Sequence, residues 1–215
     1  MEQRNEIYPK LFTWLFVGLL ITFVSGAVLA STPLLAVQIL SIGVIPIAII
    51  ELFIAFFLGL KIRKMKPLTA KICYIIYSIT TGITFSSIFL IYDLTSLISI
   101  FLITALTFAA LALYGYKTKK DLSKFGIILL IALVVTIVIS ILNVLIFKSS
   151  MTDIVISAIG VLIFCGFIAY DMSKVKYMLN EFGEEKAAVY GAFQLYLDFI
   201  NLFIRLLELF GKRND

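Results

Sequence analysis

A chain of 215 residues that is 62% apolar, with a mean hydropathy of +1.11, has too little polar surface to cover a soluble core; ordinary soluble domains are about 45–50% apolar. The apolar runs are long and continuous, which argues against a transmembrane β-barrel, whose strands alternate every second residue. The net charge of +5 sits mostly in short loops, so it is a topology signal rather than a nucleic-acid footprint.

The chain has no His, and Cys73 and Cys165 fall in apolar stretches without a CxxC or zinc pattern. Neither a structural disulfide nor a cofactor is expected, and any proton-linked chemistry must rest on carboxylates.

In chain order, residues 1–10 read as a cytoplasmic N-terminus. Seven apolar runs follow: Leu11–Ala30, Leu34–Leu60, Pro67–Ile91, Leu94–Tyr114, Phe125–Phe147, Ile154–Tyr170 and Ala187–Phe210. The first reads as a retained span, not a cleaved signal peptide. The second holds Glu51 together with Gly43 and Pro46, which predict a bend or tilt. The expected architecture is an all-α integral membrane protein in a lipid bilayer. One seven-helix transmembrane domain covers 11–210, and 211–215 form a tail.

The basic residues divide unevenly between the two sides. Fourteen Lys and Arg fall at the N-terminus and in the loops after spans 2, 4 and 6, against four on the other side. This predicts a cell-membrane protein with a cytoplasmic N-terminus. The side of the C-terminus depends on whether the last run crosses fully or re-enters.

That last run carries Gln194, Asp198, Asn201, Arg205 and Glu208, spaced 4, 3, 4 and 3 residues apart, on one helix face. Lipid cannot satisfy such a stripe, so it should turn inward, and the run reads as the central helix of a bundle rather than a surface helix. The other ionisable residues of interest are Glu51 and, at the cytoplasmic end of span 6, Asp171. A carboxylate at a helix C-terminus opposes the helix dipole, so Asp171 should want a cation or a proton. If it meets Asp198, the two cannot both ionise cheaply in a low-dielectric site; one keeps a proton, and the pair titrates as a unit. Such a pair can sense pH without histidine and offers oxygen ligands to Ca²⁺. Asp198 lies deep in its run and Asp171 at a boundary, so the meeting requires span 6 to continue through Met172 and Ser173, or span 7 to start lower. Lys61 or Arg63, at the end of span 2, could latch an ionised Asp171.

Three stretches resemble the Bax inhibitor-1 family, also called the transmembrane Bax inhibitor motif family, and in particular its small bacterial members. They are Leu113–Ser123 (LYGYKTKKDLS), Ala169-Tyr170-Asp171, and Leu195–Phe203 (LYLDFINLF). The resemblance covers the chain from the first span onward. It implies six helices around a seventh and a pH-sensitive calcium leak. The aspartates matching Asp171 and Asp198 form its di-aspartyl sensor. A basic residue ending span 2 pairs with the first of them; Arg63 is the first choice, because a guanidinium grips a carboxylate bidentately, and Lys61 the second. Glu51 matches an acidic position in span 2 and is placed on the ion path with Gln194, Asn201 and Arg205. The family's association with suppression of cell death finds no support in this sequence.

The expected function is therefore a non-enzymatic Ca²⁺ leak, with Ca²⁺ and H⁺ as its partners, gated by protonation of the pair. A Ca²⁺/H⁺ exchanger and a non-conducting regulatory membrane protein share most of these features. An intramembrane aspartyl protease is more remote, because no Gly-x-Gly-Asp motif surrounds Asp198.

Overall fold

The computed structural model describes residues 2–32, 34, 38, 44–61 and 64–214. These form seven helices: α1 (Glu2–Ala30), α2 (Val44–Lys61), α3 (Pro67–Ile91), α4 (Leu94–Lys117), α5 (Ser123–Leu142), α6 (Ser150–Phe182) and α7 (Glu184–Phe210). Among the described residues, α1 and α3 to α7 are long and apolar enough to cross a membrane. The expected second span, Leu34–Leu60, lies partly outside the described residues, as does Gly43, while Pro46 is the third residue of α2 as described. Among the described residues there is no strand, only an isolated bridge between Tyr92 and Arg213.

The helices extend beyond the apolar runs that nucleate them. The first begins at Glu2, inside the segment expected to be a separate N-terminus. The sixth runs on past Tyr170 through Met172 and Ser173 to Phe182. Lys174, Lys176 and Glu181 end the hydropathy signal but are good helix formers, and Val175 and Met178 stay buried in this extension. Gly183, at φ +75°, then turns the chain, a conformation that costs glycine little.

The described residues cluster into two compact units. The first comprises residues 1–94, 175–196 and 213–215. Its core is the packing of α1 on α3, with Phe23 edge-on to Phe85 at 5.1 Å. Tyr74 and Tyr77 of α3 meet Phe193 and Tyr196 of α7 at centroid distances of 5.5–6.0 Å. Pairs of this kind contribute about 0.5–1.5 kcal/mol each beyond area burial.

Polar contacts tie the start of α7 and the tail that follows it into this unit. Glu184 pairs with Lys10 at 2.5 Å and Glu185 with Lys71 at 3.4 Å. Acidic residues in a first turn also face the positive end of the helix dipole. In the tail, the Asn214 backbone N–H donates to Ile91 O, and its side-chain amide donates to Leu90 O and Tyr92 O. Lys71 is in the first turns of α3 and Leu90–Ile91 in its last, so α7 and the tail span the full length of α3. That is 25 residues, or about 38 Å at a rise of roughly 1.5 Å per residue, enough for a complete crossing. The C-terminus therefore lies at the opposite end of α3 from Lys10 and Lys71.

The second unit comprises residues 95–174 and 197–212. Phe101 and Phe108 of α4 pack against Phe199 of α7 at 5.6 and 5.5 Å. α5 ends in a π-helical turn, Asn143–Phe147, followed by a left-handed Lys148. The buried Asn143 amide holds this corner. It donates to Ser149 O at 3.1 Å and to Asp153 Oδ1 at 2.6 Å, and its carbonyl accepts the Ser149 N–H.

Candidate functional site

Asp171 and Asp198 both belong to the second unit, and each is only 5% exposed. Their side chains hydrogen-bond to each other. A hydrogen bond between two carboxyl groups needs a proton on one of them, so the geometry is that of a proton-sharing pair. Asp198 Oδ2 is buried and has no hydrogen-bond partner among the described residues.

The local sequence places Asp171 by close helix packing. Gly115 of α4 faces Ala169 of α6; a Cβ built at position 115 would fall 2.3 Å from the Ala169 carbonyl oxygen, so a larger residue would force the helices apart. The Tyr170 ring lies over Gly126 of α5, and Lys174 sits above the same ring, its Nζ 4.2 Å from the centroid. Lys174 follows Asp171 by three residues, so the two share one face of α6. The spacing is legible in the sequence, where hydropathy alone makes Lys174 a loop charge. In the LYGYKTKKDLS stretch, Asp121 accepts the Ser123 backbone N–H at 2.9 Å at the start of α5. Hydrogen bonds from Ser123 hold the Asp121 carboxyl below its usual range.

The other expected site residues are dispersed. Arg63 lies outside the described residues. Lys61 is the exposed last residue of α2, in the first unit. Glu51, also in the first unit, accepts a hydrogen bond from the hydroxyl of Thr84 of α3. Gln194 is half-buried there. In the second unit, Asn201 donates back to Leu197 O within its own helix at 2.8 Å, and Arg205 pairs with Glu208. Among the described residues no group of three or more Cys, Asp or Glu side chains could hold a metal ion. Two carboxyls fall short of the roughly six to eight oxygens that Ca²⁺ takes.

A hydroxyl chain in the first unit has no forerunner in the sequence reading. Thr22 Oγ1 donates to Ser78 O at 2.9 Å and lies 2.6 Å from Tyr196 OH. Thr22 has one hydroxyl proton, already given to Ser78, so Tyr196 is the donor to Thr22.

Comparison with known proteins gives a consistent picture. The family described as inhibitor of apoptosis-promoting Bax1 matches residues 4–215. The inner membrane protein YbhL of Escherichia coli (strain K12) is 37% identical over 215 residues, covering 95% of this chain and 90% of that protein. A membrane protein of Streptococcus pyogenes serotype M1 is 42% identical over 171 residues, covering 78% of this chain and 73% of that protein. A protein of Borreliella burgdorferi is 36% identical over 219 residues, covering 99% and 94%.

Proposed function

The chain belongs to the Bax inhibitor-1 family, and from that premise we propose that this membrane protein is a pH-sensitive Ca²⁺ leak controlled by Asp171 and Asp198. The observation that carries the proposal is the pair itself: two buried carboxyls, hydrogen-bonded to one another, with a further unpartnered oxygen on Asp198. Ionisable groups inside a membrane span are costly, and where they persist they mark ion or proton pathways.

In this mechanism the two carboxyls share a proton at neutral pH, and a basic residue holds Asp171 while it carries charge. Arg63 and Lys61 are the candidates taken from the family resemblance. Lys174 is a third, because it shares one face of α6 with Asp171. Acid protonates both carboxyls, the latch loses its charge partner, and Ca²⁺ moves down its gradient along α7 past Asn201 and Arg205. The protein makes and breaks no covalent bond in this scheme.

The test is Ca²⁺ uptake into dye-loaded proteoliposomes holding the full chain, with and without an imposed pH gradient. A leak carries Ca²⁺ only down its own gradient at every pH. Uphill Ca²⁺ movement driven by the pH gradient would replace the leak with an exchanger, and no uptake under any condition would remove transport altogether.

A further inference from the structure

Arg205 and Glu208 lie one turn apart in the second half of α7, and both reach α6. The Arg205 stem lies across Gly160: a Cβ built at position 160 would sit 2.9 Å from Arg205 Cδ and 3.0 Å from Cγ. Arg205 Nη1 donates to Glu208 Oε2 at 2.8 Å. Ser157, buried one turn back along α6, donates its hydroxyl to the same oxygen at 2.7 Å. Ion pairs between exposed residues one turn apart are loosely held, because each long side chain keeps its rotamer freedom. Here α6 restrains both partners. Gly160 gives the guanidinium stem a bed against backbone, and Ser157 fixes the carboxylate oxygen that receives it. All four residues belong to the second unit.

A guanidinium stays charged at any physiological pH, so Arg205 left alone would be a fixed positive charge beside any path along this part of α7. We infer that Glu208, oriented by Ser157, neutralises Arg205 and so makes this end of α7 passable to divalent cations instead of anions. The inference rests on the proposed Ca²⁺ leak. Glu208 is a positioning and charge-compensating residue that acts through Arg205, and Gly160 and Ser157 are the features of α6 that keep the pair closed.

The experiment compares full-length wild type, Glu208→Gln and the double variant Arg205→Gln, Glu208→Gln in proteoliposomes. Ca²⁺ uptake and iodide entry, read by a halide-quenched dye, are measured side by side. Glu208→Gln keeps the side-chain volume and an acceptor for Ser157. It is expected to lower Ca²⁺ uptake about tenfold, the least that one uncompensated charge at roughly 5 Å imposes on a divalent cation even under water-like screening. It is also expected to admit iodide. The double variant should recover Ca²⁺ uptake relative to Glu208→Gln and lose the iodide entry, a change of selectivity that a merely structural role would not produce. Wild-type levels in Glu208→Gln, or a double variant no better than the single one, would overturn the inference and leave the leak standing. A wild type that passes no Ca²⁺ would overturn the leak and the inference with it.

Discussion

Asp198 and Tyr196 stand two positions apart on α7 and do different work. Tyr196 is fully buried, and its hydroxyl can only be a donor to Thr22. Tyr196→Phe removes that hydrogen bond and should destabilise the folded protein by about 1 kcal/mol. Thermal unfolding in detergent measures this. Combined with Thr22→Val, which also removes the bond to Ser78 O, the total loss should fall short of the sum of the two single losses, because the bond between the two hydroxyls is then counted once. An additive double variant would mean that the hydroxyls act separately. Asp198 instead spends its carboxyl on Asp171. The sequence already marks both aspartates as expensive residues needing a reason. It does not show that they touch, because that depends on how far α6 continues beyond its apolar run, and hydropathy stops reporting helix where lipid ends. The Arg205–Glu208 pair is half legible: the spacing is visible in the sequence, but the fit of Arg205 onto Gly160 of another helix is not.

Elements are held together here by close approach at small residues. Adding a methyl at Gly115 would drive it into the Ala169 backbone, which cannot swing aside as a flexible side chain could. Gly115→Ala is therefore expected to cost about 1–3 kcal/mol, as overpacking does. Gly59 is the internal control, since a Cβ at that position meets nothing within 4 Å among the described residues. Gly59→Ala in α2 should be neutral or stabilising by up to roughly 1 kcal/mol. Equal effects of the two substitutions on the unfolding midpoint would contradict the packing described for α4 on α6. At the α5–α6 corner, Asn143→Ala strands the groups that the amide now satisfies and should destabilise by about 1–3 kcal/mol by the same measurement. The runs of apolar residues foretell these helices well. Nothing in them foretells the π-helical turn at 143–147, because it depends on one amide that meets both the backbone and a side chain of the next helix.

At the scale of the whole molecule, the question that the sequence leaves open is the side on which the chain ends. The contacts of Glu184 and Glu185 at one end of α3, and of Asn214 at the other, set the start of the last helix and its tail at opposite ends of α3, the arrangement that a full crossing requires. The charge bias predicts a cytoplasmic N-terminus; with that orientation and a last helix that crosses fully, a C-terminal alkaline phosphatase fusion should be active and a C-terminal fluorescent-protein fusion dark, and the reverse would contradict one of the two expectations. Charge counting cannot decide this, because the tail carries its own basic residues, Lys212 and Arg213. Family membership is legible from three short motifs, and their roles in the structure are unequal. Two of them supply the aspartates, whereas the first supplies the Gly115 contact and the Asp121–Ser123 hydrogen bond just before α5. The central claim is that these two aspartates control the leak. The most direct test is Ca²⁺ uptake into proteoliposomes from about pH 5 to about pH 8, with wild type beside the double variant Asp171→Asn, Asp198→Asn. Control by the pair predicts uptake that rises as the pH falls in wild type and is independent of pH in the double variant. The same pH dependence in both proteins would contradict it.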